Sequence, residues 1–63
     1  MMKYDFKVGD LFINAKQQPI LITTIIHNFV RGYWGSELRS VGYKQNIDIL
    51  VQNGSWKYYP VVK

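Results

Sequence analysis

Residues 20–26 read ILITTII, and this stretch indicates the fold class of the chain. Isoleucine and threonine are β-branched residues that favour strands, and a short apolar run of this kind is more typical of a strand than of a helix. Both faces of such a strand are apolar, which suits a strand that bends around a small barrel or is covered on both sides. We therefore predict a central strand over residues 20–26.

Weaker strand signals lie on either side of this stretch. A Gly9-Asp10 turn signal precedes apolar residues of strand character, which predicts a first strand near residues 10–15. Pro19 cannot donate to a ladder, so the polar segment before residue 20 suits a turn or a strand edge. A third strand is predicted near residues 32–38, after a turn or bulge. The alternative is an irregular glycine-rich loop that carries a binding surface.

A helical pattern precedes the last strand signal. Ile47, Leu50 and Val51 recur at i, i+3 and i+4 within residues 44–52, and Gly54 follows where a left-handed helix cap lies. We prefer a short helix here, although the same residues also alternate as a strand would.

Residues 55–59 alternate as a terminal strand. Alternation places Trp56 and Tyr58 on one face, which we predict to be the core, and Lys57 and Tyr59 on the other. The whole chain, residues 1–63, is expected to form one mainly β domain, because it contains no repeat, linker or low-complexity tract.

Several short motifs carry a resemblance to known proteins. They are Lys7-Val8-Gly9-Asp10-Leu11, then Ile47, Leu50, Val51, Gly54, Trp56-Lys57 and Tyr59-Pro60-Val61-Val62. In this respect the chain resembles small SH3-like barrel proteins encoded by bacterial viruses. The resemblance implies a small SH3-like barrel of four to five antiparallel strands, with one short helix before the last strand, and a bacteriophage accessory role. It implies no active site, and the acidic loop of peptide-binding SH3 domains is missing.

Few side chains could support catalysis or bind a metal. The chain has no cysteine and one histidine, His27, whereas a structural zinc site needs four such ligands. The carboxylates are not paired in sequence: we expect Asp10 to form a turn, Glu37 to be a surface charge and Asp48 to lie on the solvent face of the helix. We therefore predict that the protein is not an enzyme and uses no metal or cofactor.

The sequence favours a cytoplasmic protein without a membrane segment. The absence of cysteine leaves no disulfide to mark an oxidising compartment. The first residues lack the apolar stretch of a secretory signal, and the longest apolar run is far shorter than the roughly 20 residues of a membrane helix.

Basic and aromatic residues alternate in two segments, 31–34 and 56–59, and the chain has a net charge of +4. Flat rings next to cations can stack nucleobases and neutralise phosphates. The predicted partner-binding residues are Arg31, Tyr33, Trp34, Arg39, Lys57 and Tyr59. Nucleic acid is the leading partner. The alternative is a protein partner, such as a host protein modulated by a phage product, and association between copies of the chain is a third hypothesis.

Overall fold

The computed structural model describes residues 2–61 and confirms the mainly β fold class. The strands are β1 (Leu11–Ile13), β2 (Pro19–Ile26), β3 (Phe29–Trp34), β4 (Glu37–Tyr43) and β5 (Lys57–Tyr59). One helix, α1 (Lys44–Gln52), lies between β4 and β5. Val62, the last residue of the motifs quoted above, lies outside the described residues.

The five strands form one antiparallel sheet in the order β4-β3-β2-β1-β5. Strand β2 is the middle strand, as its apolar sequence predicts. The last strand pairs with the first, and this order is compatible with an SH3-like barrel.

The prediction of a single strand over residues 32–38 is wrong. The structure contains a hairpin in which Trp34 lies opposite Glu37, so Gly35 and Ser36 form a tight turn between β3 and β4. Gly35 has a φ of 65°, a left-handed conformation that tight hairpin turns need and that glycine adopts without a steric penalty. Turn chemistry therefore divides this apolar segment into two strands.

The predicted helix over residues 44–52 is confirmed. Its apolar face buries Ile47 in the core, and Val51 packs against the same core. Gly54 follows the helix with a φ of 84°, and its N–H donates to the carbonyl of Val51. The left-handed glycine thus ends the helix as expected and turns the chain towards β5.

The core lies between the inner face of the sheet and the helix. It consists of the buried side chains Phe6, Phe12, Ile20, Ile22, Val30 and Ile47. Tyr58 packs on Phe6 and Phe12 with ring centroids 5.0 and 5.3 Å away, and Trp56 lies 5.9 Å from Phe12. Trp56 and Tyr58 therefore face the core, as the alternation in β5 predicts.

Asp48 does not lie on the solvent face of the helix, contrary to expectation. It is only 2% exposed, and its Oδ1 accepts hydrogen bonds from the backbone N–H groups of Lys3 and Tyr4 at 3.0 and 2.9 Å. The Gln52 side chain donates to its other oxygen. Burial alone raises the pKa of Asp48, but these hydrogen bonds outweigh it and hold the pKa below its ordinary value. The carboxylate faces inward because it fastens the N-terminal segment to the helix.

Candidate functional site

One row of side chains crosses all five strands on the outer face of the sheet, away from the core. The register places Tyr59 opposite Leu11, Leu11 opposite Leu21, Leu21 opposite Tyr33, and Tyr33 opposite Leu38. Directly opposed residues in an antiparallel sheet project from the same face. Tyr33 and Tyr59, two of the predicted partner-binding residues, are therefore in one continuous row.

Two cations lie on the same outer face. Arg31 is opposite Thr24 and Ser40, and Lys57 is opposite Ile13. Each cation is two residues from a tyrosine of the row, and residues two apart on a strand share a face. Both side chains are exposed. We call one group of residues on this face the platform: Arg31, Tyr33, Lys57 and Tyr59.

The outer face is unusually rich in exposed apolar and aromatic groups. Tyr33 is 42% exposed, Tyr59 50% and Leu38 49%, and Ile26 and Tyr43 are also exposed. Among the described strand residues on this face, the charged side chains are those of Arg31 and Lys57, and none is a carboxylate. A contiguous exposed patch of this kind is typical of a surface that binds a partner.

Trp34 and Arg39 lie on the opposite face from the platform. Trp34 is opposite the buried Ile20, and Arg39 is opposite the buried Gly32, so both side chains project from the inner face near one end of the sheet. The Arg39 guanidinium carbon is 5.5 Å from the centroid of the Trp34 ring, within the range of a cation–π contact. The six predicted residues therefore form two separate groups rather than one surface.

Trp34 and Arg39 border a groove of about 400 Å³ at this end of the molecule. Its lining residues are Asn14, Ala15, Lys16, Gln18, Trp34, Arg39 and Trp56. The two tryptophan rings meet edge to face, with centroids 6.0 Å apart and planes at 87°. The indole N–H of Trp34 is buried and has no hydrogen-bond partner among the described residues.

The loop that forms one wall of the groove is held by Asn14. Its Oδ1 accepts from the backbone N–H groups of Lys16 and Gln18, both at 2.9 Å, and its Nδ2 donates to Gln18 Oε1 at 2.9 Å. These bonds let Gln17 adopt a φ of 64°, a conformation that few residues other than glycine favour. The backbone positions of Lys16 and Gln18 are thus fixed by the loop itself, before any ligand binds.

Lys16 and Gln18 are not among the partner-binding residues that the sequence predicts. Lys16 is an isolated lysine in a polar loop, and Trp56 was assigned to the core. The groove forms only because the β1–β2 loop meets the segment before β5, a contact between distant parts of the sequence. The polar residues after Asn14 indicate a loop and give no information about this contact.

The basic residues of both surfaces are available to a partner. Within residues 2–61, the ion pairs join Lys7 and Lys44 to Asp5, at 4.0 and 3.8 Å. Arg31, Arg39, Lys16 and Lys57 therefore form no ion pair within the described part of the chain. An anion that binds either surface does not have to displace a carboxylate.

The described residues offer no other class of site with a clear ligand set. No group of three or more His, Cys, Asp or Glu residues there could hold a metal ion. His27 is exposed in the turn between β2 and β3, with a φ of 49°. The one helix, α1, falls short of the length and apolar character that a membrane-crossing helix has.

Comparison of the chain with protein-family models, curated proteins and solved structures finds no match.

Proposed function

We propose that this protein binds single-stranded nucleic acid on the outer face of its sheet, through the platform of Arg31, Tyr33, Lys57 and Tyr59. One observation carries the proposal: exposed tyrosine rings lie on a face where, within residues 2–61, the charged strand side chains are all positive. Aromatic rings stack on nucleobases, and cations next to them neutralise phosphates, so this combination suits a single strand.

The spacing of the two tyrosines suits a strand that crosses the sheet. Tyr33 in β3 and Tyr59 in β5 are separated by β2 and β1. With about 4.8 Å between neighbouring strands, the two rings are roughly 14 Å apart along the row. A nucleic acid strand lying along the row would meet both rings, with intervening nucleotides over Leu11 and Leu21.

The platform favours unpaired bases over a duplex. Ring stacking needs a free base face, which a single strand offers and a stacked duplex does not. Duplex recognition commonly uses a helix or a two-stranded ribbon inserted in the major groove. The only helix of the described chain packs on the core through Ile47 and Val51, whereas the tyrosines stand on a five-stranded sheet.

The first test is the salt dependence of oligonucleotide binding, measured by fluorescence anisotropy with a labelled single strand. Each phosphate contact contributes about −0.7 to the slope of log K against log salt for single strands. We expect Arg31→Ala to reduce the steepness of this slope by about 0.7 and to weaken binding of different sequences alike. Tyr33→Leu should weaken binding by about fivefold or more, because it removes a stacking ring while keeping an apolar side chain.

Lys7→Ala is the matched control, since Lys7 is exposed but lies outside the platform, next to Asp5. It should leave the salt slope unchanged. The proposal is wrong if no oligonucleotide binds at low salt, or if Lys7→Ala and Arg31→Ala have the same effect.

A second candidate function is a protein-interaction module, and the aliphatic side chains of the outer face favour it. Leu21, Ile26 and Leu38 are exposed there, and base stacking has no need of them. Because the chain resembles phage proteins, the candidate partner is a host protein in the bacterial cytoplasm. A partner retained after nuclease treatment, and lost in Leu38→Ser but not in Tyr33→Leu, would favour this function over nucleic-acid binding.

A further inference from the structure

We propose that the groove lined by Trp34, Trp56, Arg39, Lys16 and Gln18 is a second binding site, and that its ligand is a nucleobase with an attached phosphate. No lining residue of the groove belongs to the platform. The two sites can therefore be tested separately.

The aromatic part of the groove suits a planar ring. Trp34 and Trp56 meet edge to face, so their indoles form two walls at 87° to each other. Arg39 lies over the Trp34 ring, and its planar guanidinium can itself stack on a base. The volume of about 400 Å³ is within the roughly 300–1,000 Å³ that small-molecule sites occupy.

The charged part of the groove suits a phosphate. Lys16 and Arg39 are the charged lining residues, both are exposed, and neither forms an ion pair within residues 2–61. No carboxylate lines the groove. The arginine fork matches phosphate geometry, and lysine adds a mobile point charge.

One free hydrogen-bond donor of the groove suits the polar edge of a base. The Trp34 indole N–H also has no acceptor among the described residues, but it is fully buried and is closed off from a ligand in the groove. The Gln18 amide accepts from Asn14 through its oxygen, while its nitrogen donates to no described side chain or backbone group. A base carries carbonyl oxygens and ring nitrogens that accept such bonds, whereas a simple hydrocarbon ring does not.

Tryptophan fluorescence tests this proposal directly, because Trp34 and Trp56 are the only two tryptophans of the chain and both line the groove. The probes are adenosine monophosphate, adenosine and inorganic phosphate, with excitation that selects tryptophan. We expect saturable quenching by the monophosphate, with weaker binding of adenosine and of phosphate alone. Lys16→Ala should raise the Kd for the monophosphate about fivefold, as should Arg39→Ala.

Arg31→Ala is the matched control, since it removes one positive charge from the platform and none from the groove. It should leave quenching by the monophosphate unchanged.

Two sources of the ligand are distinguished with oligonucleotides that differ only in a terminal phosphate. Quenching by the monophosphate indicates a free nucleotide. Quenching by the phosphorylated oligonucleotide alone indicates the end of a strand, and supports the same site.

The proposal is overturned if none of these probes changes tryptophan emission, or if Lys16→Ala and Arg39→Ala bind them as the unaltered protein does. A rise in anisotropy that is lost in Arg31→Ala reports the platform, and quenching that is lost in Lys16→Ala and Arg39→Ala reports the groove, so either site can fail while the other stands.

Discussion

Asp10 connects the turn before β1 to the C-terminal segment that contains β5. Its Oδ2 accepts from the Lys7 backbone N–H at 2.9 Å and from the Tyr58 hydroxyl at 2.7 Å, and its Oδ1 accepts from the Val61 N–H at 2.8 Å. The carboxylate is almost fully buried, and a buried charge is tolerated only when it is well hydrogen-bonded. The expected role of Asp10 as a turn residue is therefore only part of its function, because it also anchors β5.

Tyr58→Phe should destabilise the protein at neutral pH. The change removes one charge-assisted hydrogen bond to Asp10 while keeping the ring that packs on Phe6 and Phe12. A loss of about 1.5 kcal/mol in the free energy of unfolding is expected, measured by urea denaturation. Tyr59→Phe is the matched control, since Tyr59 is half exposed on the outer face and should change stability little. Equal losses in the two variants would contradict the role of the Asp10 bond.

The hydrogen-bonded pair of Tyr58 and Asp10 also makes the free energy of unfolding depend on pH in the alkaline range. Burial and the hydrogen bond to Asp10 raise the pKa of Tyr58 above its ordinary value of 10.0. Because the folded pKa exceeds the unfolded one, the stabilising contribution is complete below pH 10.0 and is lost as the pH rises towards the folded pKa. Urea denaturation above pH 10.0 should therefore show a smaller decline for Tyr58→Phe than for Tyr59→Phe. A parallel decline in both would show that Tyr58 does not contribute.

At the scale of the elements, the contact between β2 and β3 depends on a glycine. Gly32 is opposite Ile22, next to the bulge between Ile22 and Thr24. A Cβ at this position would lie 2.1 Å from the carbonyl oxygen of Leu21. The backbones approach too closely for any side chain, so the requirement here is for space and not for a left-handed φ.

Gly32→Ala should weaken the pairing of β2 with β3. Alanine favours a strand more than glycine does, yet the added methyl group must displace backbone, which costs about 1–3 kcal/mol. The urea midpoint should fall accordingly, with circular dichroism checking that the variant still folds. Ser40→Ala, an exposed change on the neighbouring strand, should have almost no effect. A Gly32→Ala protein as stable as the original would show that the two strands can separate freely at this point.

The elements differ in how much their sequence reveals. The β-branched run of β2, the apolar spacing of α1 and the alternation in β5 each reflect local periodicity, and all three predictions are confirmed. The β3–β4 hairpin could have been predicted, because Gly-Ser between two apolar runs is a two-residue hairpin signal, and the single strand over residues 32–38 overlooks it. The groove was missed for a different reason: Lys16 and Trp56 come together only through the tertiary contact of β1 with β5. Periodicity cannot report such contacts.

At the scale of the whole molecule, the distribution of charge separates the two proposed surfaces from the rest. Asp5 pairs with Lys7 and Lys44, and Asp10 and Asp48 are buried in hydrogen bonds. Most of the negative charge is therefore used within the fold. The net charge of +4 consequently appears on the outside as unpaired cations, which attract polyanions at low salt.

The same distribution bears on whether copies of the chain associate through the apolar outer face. Two copies packed face to face would bring the cations Arg31 and Lys57 of each copy together, without a carboxylate on that face. Like charges repel most at low salt and are screened within about 10 Å at 0.1 M salt. We expect the mass of one chain in sedimentation equilibrium at low salt, even at high protein concentration.

Raising the salt concentration should then have opposite effects on the two kinds of binding, weakening oligonucleotide binding and favouring self-association. Arg31→Gln should promote self-association at low salt, because it removes the repulsion while keeping a side chain of similar length. Lys7→Gln removes the same charge outside the face and should leave the mass unchanged. A stable dimer of the unaltered protein at low salt would mean that the apolar rows outweigh the charges, and that the outer face is occupied by a second copy before any nucleic acid reaches it.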